Sequence, residues 1–124
     1  MTDIYLDSAY VAKCYLNEPD SEAVRQLLAQ GRGVQSSWLC AAEVACALHR
    51  HIREGLYTPQ QAERAWSRFQ HDIAGGGWLL LPVSERILLQ VGAVLTQLPP
   101  GVFVRAGDAI HLITARTAGF REVW

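Results

Sequence analysis

Three acidic residues, Asp7, Glu43 and Asp108, each interrupt a stretch that otherwise has the composition of a protein interior. Asp7 closes the run Ile4-Tyr5-Leu6, and Glu43 is the only charge between Trp38 and Leu48. Asp108 opens Asp-Ala-Ile-His-Leu-Ile-Thr-Ala, following Ala106-Gly107. A carboxylate in apolar surroundings is costly unless a partner offsets its lost hydration. No lysine or arginine is spaced to serve all three, whereas one shared divalent cation could. A hard ion such as Mg²⁺ or Mn²⁺ takes carboxylate oxygens while keeping several waters. Held that way, it makes a bound water acidic enough to attack a phosphate. Each residue alone also has a simpler reading. Asp7 and Asp108 could cap the helices that follow them, and Glu43 could pair with an arginine.

The elements that must position these groups follow from periodicity. Ile4-Tyr5-Leu6 reads as a short buried strand, followed directly by a helix over residues 8–15 that Asn17-Glu18-Pro19 breaks. A second helix starts near Asp20-Ser21 and stops at Gly31, and residues 33–36 fit a second strand. A long helix spans about residues 37–54 and ends at Gly55. Thr58, Pro59 and Gln61 form the clearest start signal in the chain, a capping box with proline at the first helical position. Gly75-Gly76-Gly77 ends that helix, and Trp78-Leu79-Leu80-Leu81 is a continuous apolar strand stopped by Pro82. Ser84 caps a further helix closed by Pro99-Pro100, and a last helix runs from near Asp108 to Gly119. Glu122-Val123-Trp124 begins another strand.

Short apolar strands alternating with helices predict an α/β fold with a parallel sheet covered on both faces. A helix joining two parallel strands runs antiparallel to them, so helix N-termini gather where strands end. Asp7 at a strand's carboxyl end, Glu43 in the first two turns of its helix and Asp108 at a helix start therefore fall on one rim. That is where open α/β sheets bind ligands. Without a cation, three carboxylates there would repel one another and some would take up protons.

Composition sets the remaining bounds. A chain of 124 residues, 50% hydrophobic and 19% charged, is a single globular domain over residues 1–124. The formal charge of −1 excludes a broad basic surface, so any polyanion site must be local. Cys14, Cys40 and Cys46 are odd in number, lie in apolar helical patterns and form no Cys-x-x-Cys pair, which predicts reduced, buried thiols. The N-terminus has neither a basic nor an apolar signal region, and no apolar stretch is long enough to span a bilayer. The expected location is cytoplasmic, with no membrane partner.

Other motifs add little chemistry. No Ser-His-Asp or Cys-His arrangement supports a covalent mechanism, and the triple glycine precedes a strand and so is not a phosphate loop. His111, three residues after Asp108, could join it as a ligand pair, but a packed, hydrogen-bonded histidine is the favoured reading. His49 and His51 suit the wet face of a helix or a polyanion-contacting patch, while Trp38, Trp66, Phe69 and Trp78 match core spacing. Lys13, Arg105 and Arg116 are candidates for contacting substrate phosphates.

The segments Tyr-Leu-Asp-Ser-Ala-Tyr-Val-Ala-Lys (5–13) and Arg-Ala-Gly-Asp-Ala-Ile-His-Leu (105–112), with the isolated Glu43 between them, resemble the PIN-domain family. More narrowly they resemble the VapC-type toxins of bacterial toxin–antitoxin pairs, over nearly the whole chain. The resemblance implies a three-layer domain whose parallel sheet has the order 3-2-1-4, flanked by helices. It implies a Mg²⁺- or Mn²⁺-dependent endoribonuclease, with Asp7, Glu43 and Asp108 as metal-binding catalytic residues and Ser8 supporting the metal or its water. The implied partners are an RNA substrate, a small VapB-type antitoxin and a second copy in a homodimer. The family normally offers a fourth acidic residue just past the last strand, whereas this chain stops within that strand at Trp124. The expectation is a domain truncated at its C-terminal end.

Two rivals stand beside the nuclease. A phospho-acceptor receiver domain wants an aspartate ending its third strand, and Leu81-Pro82-Val83 supplies none. A catalytically incomplete PIN-like protein-binding module is the stronger alternative.

Overall fold

The computed structural model describes residues 3–124. In chain order the elements are β1 (Ile4–Tyr5), α1 (Ser8–Lys13), α2 (Ser21–Leu28), β2 (Val34–Ser37), α3 (Leu39–Arg53), α4 (Pro59–Ala74), β3 (Leu79–Leu81), α5 (Glu85–Leu95) and α6 (Ala106–Thr117). The strands are parallel and ordered β3-β2-β1, with Ile4 opposite Val34 and Ser36 opposite Leu80. This is the expected α/β sheet.

The expected fourth strand is not a regular strand among the described residues, yet Trp124 pairs with the chain around β1. The Trp124 N–H donates to the Tyr5 carbonyl at 3.0 Å, and the Asp7 N–H donates to the Trp124 carbonyl at 2.8 Å. Those two bonds are the pattern of a parallel neighbour on the free side of β1, which is the position the order 3-2-1-4 assigns to it.

The helices form where their start signals lie. Thr58 and Gln61 make the reciprocal capping box of α4, and the Ser84 side chain caps α5. α3 buries one stripe, Cys40, Val44, Leu48 and His51, against the sheet core that also holds Leu6, Val11, Phe69 and Leu80. Burial on one side fixes the rotation of α3, and with it the outward direction of Glu43, one residue before Val44. α6 buries Ala109, His111, Ile113, Thr114 and Ala115.

Candidate active site

Glu43, the fifth residue of α3, has its side chain about one-third exposed, and its two oxygens face different surroundings. Oε1 lies 2.7 Å from Nε2 of His111, whose ring is 2% exposed, and Nδ1 of the same ring lies 2.9 Å from the Tyr5 hydroxyl. A carboxylate only accepts, so Nε2 carries the imidazole proton, and Nδ1 accepts from the tyrosine O–H. Tyr5 is suited to that donor role. Burial foremost, then the nearby Cys40, Asp7 and Glu43, push its pKa well above the ordinary tyrosine range, against a smaller opposing effect from Ser36. The favoured reading of His111 as a packed, hydrogen-bonded residue holds.

The second oxygen, Oε2, lies over the first turn of α6. A Cβ placed on Gly107 would sit 3.3 Å from it, and Asp108 is the next residue. Asp108 is the third residue of α6 and is exposed, with no hydrogen bond or ion pair among the described residues. Arg105, not Asp108, is the N-cap, so the capping role weighed for Asp108 does not apply. A carboxylate in that first turn faces the positive end of the helix dipole instead.

Asp7 does cap. Its Oδ1 accepts from the Ala9 and Tyr10 N–H groups at 3.0 and 3.3 Å, leaving Oδ2 uncommitted. It stands two residues beyond Tyr5, whose hydroxyl holds the histidine that holds Glu43. Glu43 thus meets the Asp108 turn directly, and Asp7 is linked to it only through Tyr5 and His111. They do not form a ready-made cage: among the described residues, no three His, Cys, Asp or Glu side chains are grouped to hold one ion.

A cleft of about 610 Å³ opens beside Glu43, lined by Ser8, Lys13, Arg50, Arg53 and Arg105 among others. Lys13 is engaged within it. Its ammonium pairs with Asp20, with Glu18 3.9 Å away, and the Asp20 hydrogen bond raises its pKa. Arg50, Arg53 and Arg105 are exposed and have no salt bridge among the described residues.

The family model for the PIN domain matches residues 4–123. The chain belongs to the PIN-domain family. It is a homologue of Ribonuclease VapC46 of Mycobacterium tuberculosis (strain ATCC 25618 / H37Rv), at 34% identity over 119 residues, covering 96% of this chain and 78% of the relative. The fold is similar to the crystal structure of Mycobacterium tuberculosis VapC20, a sarcin-ricin loop cleaving toxin, with a TM-score of 0.77 and 15% identity. That superposition covers 98% of this chain and 87% of the other.

Within this PIN domain several sequence expectations need relocating. Arg116 lies outside the Glu43 cleft. It lines a separate cavity of about 280 Å³ with Arg86, Ile87, Gln90, Ile113 and Thr117. His51, expected on a wet helix face, is buried, 3.9 Å from Glu18 and edge-on to Tyr57; only His49 of that pair is exposed. It continues the stripe from Cys40, Val44 and Leu48, so its position follows from helical spacing rather than from polarity. Trp38 is 49% exposed at the start of α3, whereas Trp78 and Phe69 are in the core as expected and Trp66 packs partly buried against it. All the cysteines are free, but only Cys40 is buried; Cys46 is exposed in the cleft. Arg50 and Arg53 were not singled out by the sequence reading. Their spacings of seven and ten from Glu43 place them on its helix face, which was the available signal.

Proposed function

We propose that this PIN domain is a VapC-type endoribonuclease toxin that hydrolyses RNA phosphodiester bonds with a divalent metal ion. The observation that carries the proposal is Glu43, which lines a cleft with Arg50, Arg53 and Arg105, none of them in a salt bridge among the described residues, and whose Oε2 meets the turn of α6 that carries Asp108. Asp7 follows β1, two residues past the Tyr5 that holds His111 and through it Glu43. This donor set fits Mg²⁺ or Mn²⁺, hard ions that take carboxylate oxygens and keep several waters. Asp7 Oδ2, Glu43 Oε2 and the Asp108 carboxylate would hold it. When bound, the ion lowers the pKa of a water and neutralises charge on the phosphate.

The chain's own groups account for the rest. Arg50, Arg53 and Arg105 pair with phosphate oxygens, which guanidinium geometry favours. The Ser8 hydroxyl, at the start of α1 and lining the cleft, can hold a water for attack. A deprotonated carboxylate beside the cleft can take that water's proton as the new P–O bond forms, while the P–O bond to the leaving ribose oxygen breaks and that oxygen takes a proton from solvent. Lys13, neutralised by Asp20, contributes less to phosphate binding than its place in the cleft suggests. Arg116 contacts substrate only where the RNA reaches the second cavity.

The same reading supplies the partners. A VapB-type antitoxin would block the cleft, and a second copy would make a homodimer. Exposed apolar side chains, among them Leu89 and Phe103, offer surface for such contacts. No helix among the described residues is long and apolar enough to cross a membrane, and we place the activity in the cytoplasm.

One observation favours the second reading, a PIN-like binding module without catalysis: the carboxylates are not grouped as a three-ligand site. The two separate by experiment. RNA incubated with the protein and Mn²⁺ should be cut, with cleavage abolished by EDTA and by Asp7→Asn, Glu43→Gln or Asp108→Asn. Tight antitoxin binding without any metal-dependent cleavage would favour the module.

A further inference from the structure

The hydrogen-bonded chain Tyr5–His111–Glu43 joins the same elements that carry the rim carboxylates. Tyr5 precedes Asp7 by two residues at the end of β1, Glu43 is on α3, and His111 follows Asp108 by three on α6. One buried imidazole therefore ties the strand end and both helices together. We propose that His111 is the positioning residue of this site, holding Glu43 Oε1 so that Oε2 is the oxygen presented to ligand, and that Tyr5 fixes the tautomer in which it can do so. This rests on the nuclease reading for its functional meaning, but the geometry stands apart from it.

Three facts favour positioning over plain packing. The imidazole's two nitrogens are both satisfied, by groups far apart in the chain. Both bonds have ordinary hydrogen-bond lengths, and the Tyr5 and His111 rings meet in a T-shaped contact with centres 5.9 Å apart. Without Tyr5's O–H donor, the imidazole proton could move to Nδ1, leaving Nε2 to meet the carboxylate lone pair to lone pair. With it, rotation of Glu43 breaks a partly buried hydrogen bond. His111 does not face the cleft and is almost wholly buried, so it is neither a ligand to the ion nor a contact to RNA. Side chains that orient a metal's carboxylate typically change metal affinity or activity by about 10–100-fold when removed.

The test compares His111→Leu, His111→Gln and Tyr5→Phe in the full chain. Glutamine can place an amide N–H near the Nε2 position and an acceptor towards Tyr5, so it should rescue. His111→Leu should shift the Glu43 side-chain carboxyl ¹³C resonance and weaken Mn²⁺ binding, measured calorimetrically without RNA, by about 10–100-fold. Tyr5→Phe should weaken it less, and His111→Gln should return both readouts most of the way. In cleavage assays at saturating RNA the loss should fall on kcat, with KM little changed. An unshifted Glu43 resonance and unchanged Mn²⁺ affinity in a folded His111→Leu overturns the proposal. So does His111→Gln behaving no better than leucine. If leucine unfolds the chain, Tyr5→Phe and His111→Gln decide the matter by the same readouts. Should the wild type neither bind Mn²⁺ nor cut RNA while the Glu43 resonance still follows His111, the nuclease reading falls and the positioning role stands.

Discussion

Two polar chains run through the interior, each built on a buried tyrosine and ending on a carboxylate. In one, the Trp78 indole N–H donates to Tyr15 at 2.7 Å, and the Tyr15 hydroxyl donates to Asp72 at 2.5 Å. In the other, Tyr5 and His111 lead to Glu43. Both tyrosines are held protonated, chiefly by burial, with pKa values well above the ordinary range. Neither burial nor a displaced pKa therefore marks the working end of the molecule. The difference lies in where each carboxylate ends. Asp72 sits in the last turns of α4, where its own carbonyl accepts the Gly77 N–H at 2.8 Å, so that chain braces the turn into β3. Glu43 lines an open cleft with arginines, and its second oxygen lies at the first turn of α6 rather than in a backbone turn of its own helix. What the far oxygen faces separates a brace from a site.

Substitutions can break that contrast directly. Glu43→Gln should lower metal-dependent RNA cleavage by about 10²–10⁴-fold, the scale expected when a proton-transfer or charge-stabilising carboxylate is lost. Asp72→Asn, at the end of the other chain, should leave kcat within about twofold, since nothing it touches changes between ground and transition state. Equal losses would erase the distinction.

Stability should run the other way. Tyr15→Phe strands a buried indole N–H and a partly buried carboxylate, at a cost of about 1–3 kcal/mol. By thermal denaturation that is a drop in Tm of roughly 4–12 °C for a domain of this size, with specific activity per folded molecule unchanged.

A smaller effect separates the cationic regions. Arg50→Gln with Arg53→Gln should raise KM several-fold and flatten the salt dependence of RNA binding by about 0.7 in log–log slope per lost phosphate contact. Arg86→Gln with Arg116→Gln removes the same charge from the second cavity and should alter neither, unless the RNA extends that far. The smallest is chemical. Cys46, exposed in the cleft, should react with a thiol reagent near neutral pH, whereas Cys40 should not. Burial pushes the Cys40 thiol up to about 11, and the Glu43 charge adds to it, so it remains protonated until pH rises far above neutral. Mass spectrometry after brief labelling distinguishes the sites.

Local signals carried much of the fold. Pro59 with its capping box, Ser84 before Ile87 and the glycine stops are short-range events, and α4, α5 and the intervening strand lie where those residues put them. The meeting of Glu43 with the turn that carries Asp108 was legible too, because parallel topology gathers helix starts at the ends of strands whatever the side chains are. Less legible was anything decided by the rotation of one helix against another. His51 was read by its polarity, although it lies on the stripe of Cys40, Val44 and Leu48. Cys46 was read by its apolar neighbours, although it lies on the Glu43 face. The partner of His111 could not be read at all. Its bonds span 68 and 106 positions, and helical periodicity says nothing about pairs so far apart.

Gly107 gives the rim a property that its charges alone do not. Backbone without a side chain is what allows the opening turn of α6 to come so near Glu43 Oε2. Because the other oxygen is tethered, that carboxylate has little slack with which to retreat from a newcomer. A single methyl at position 107 would thus act as a shim, nudging the site's geometry while every formal charge, every carboxylate oxygen and the whole basic lining stay as they are.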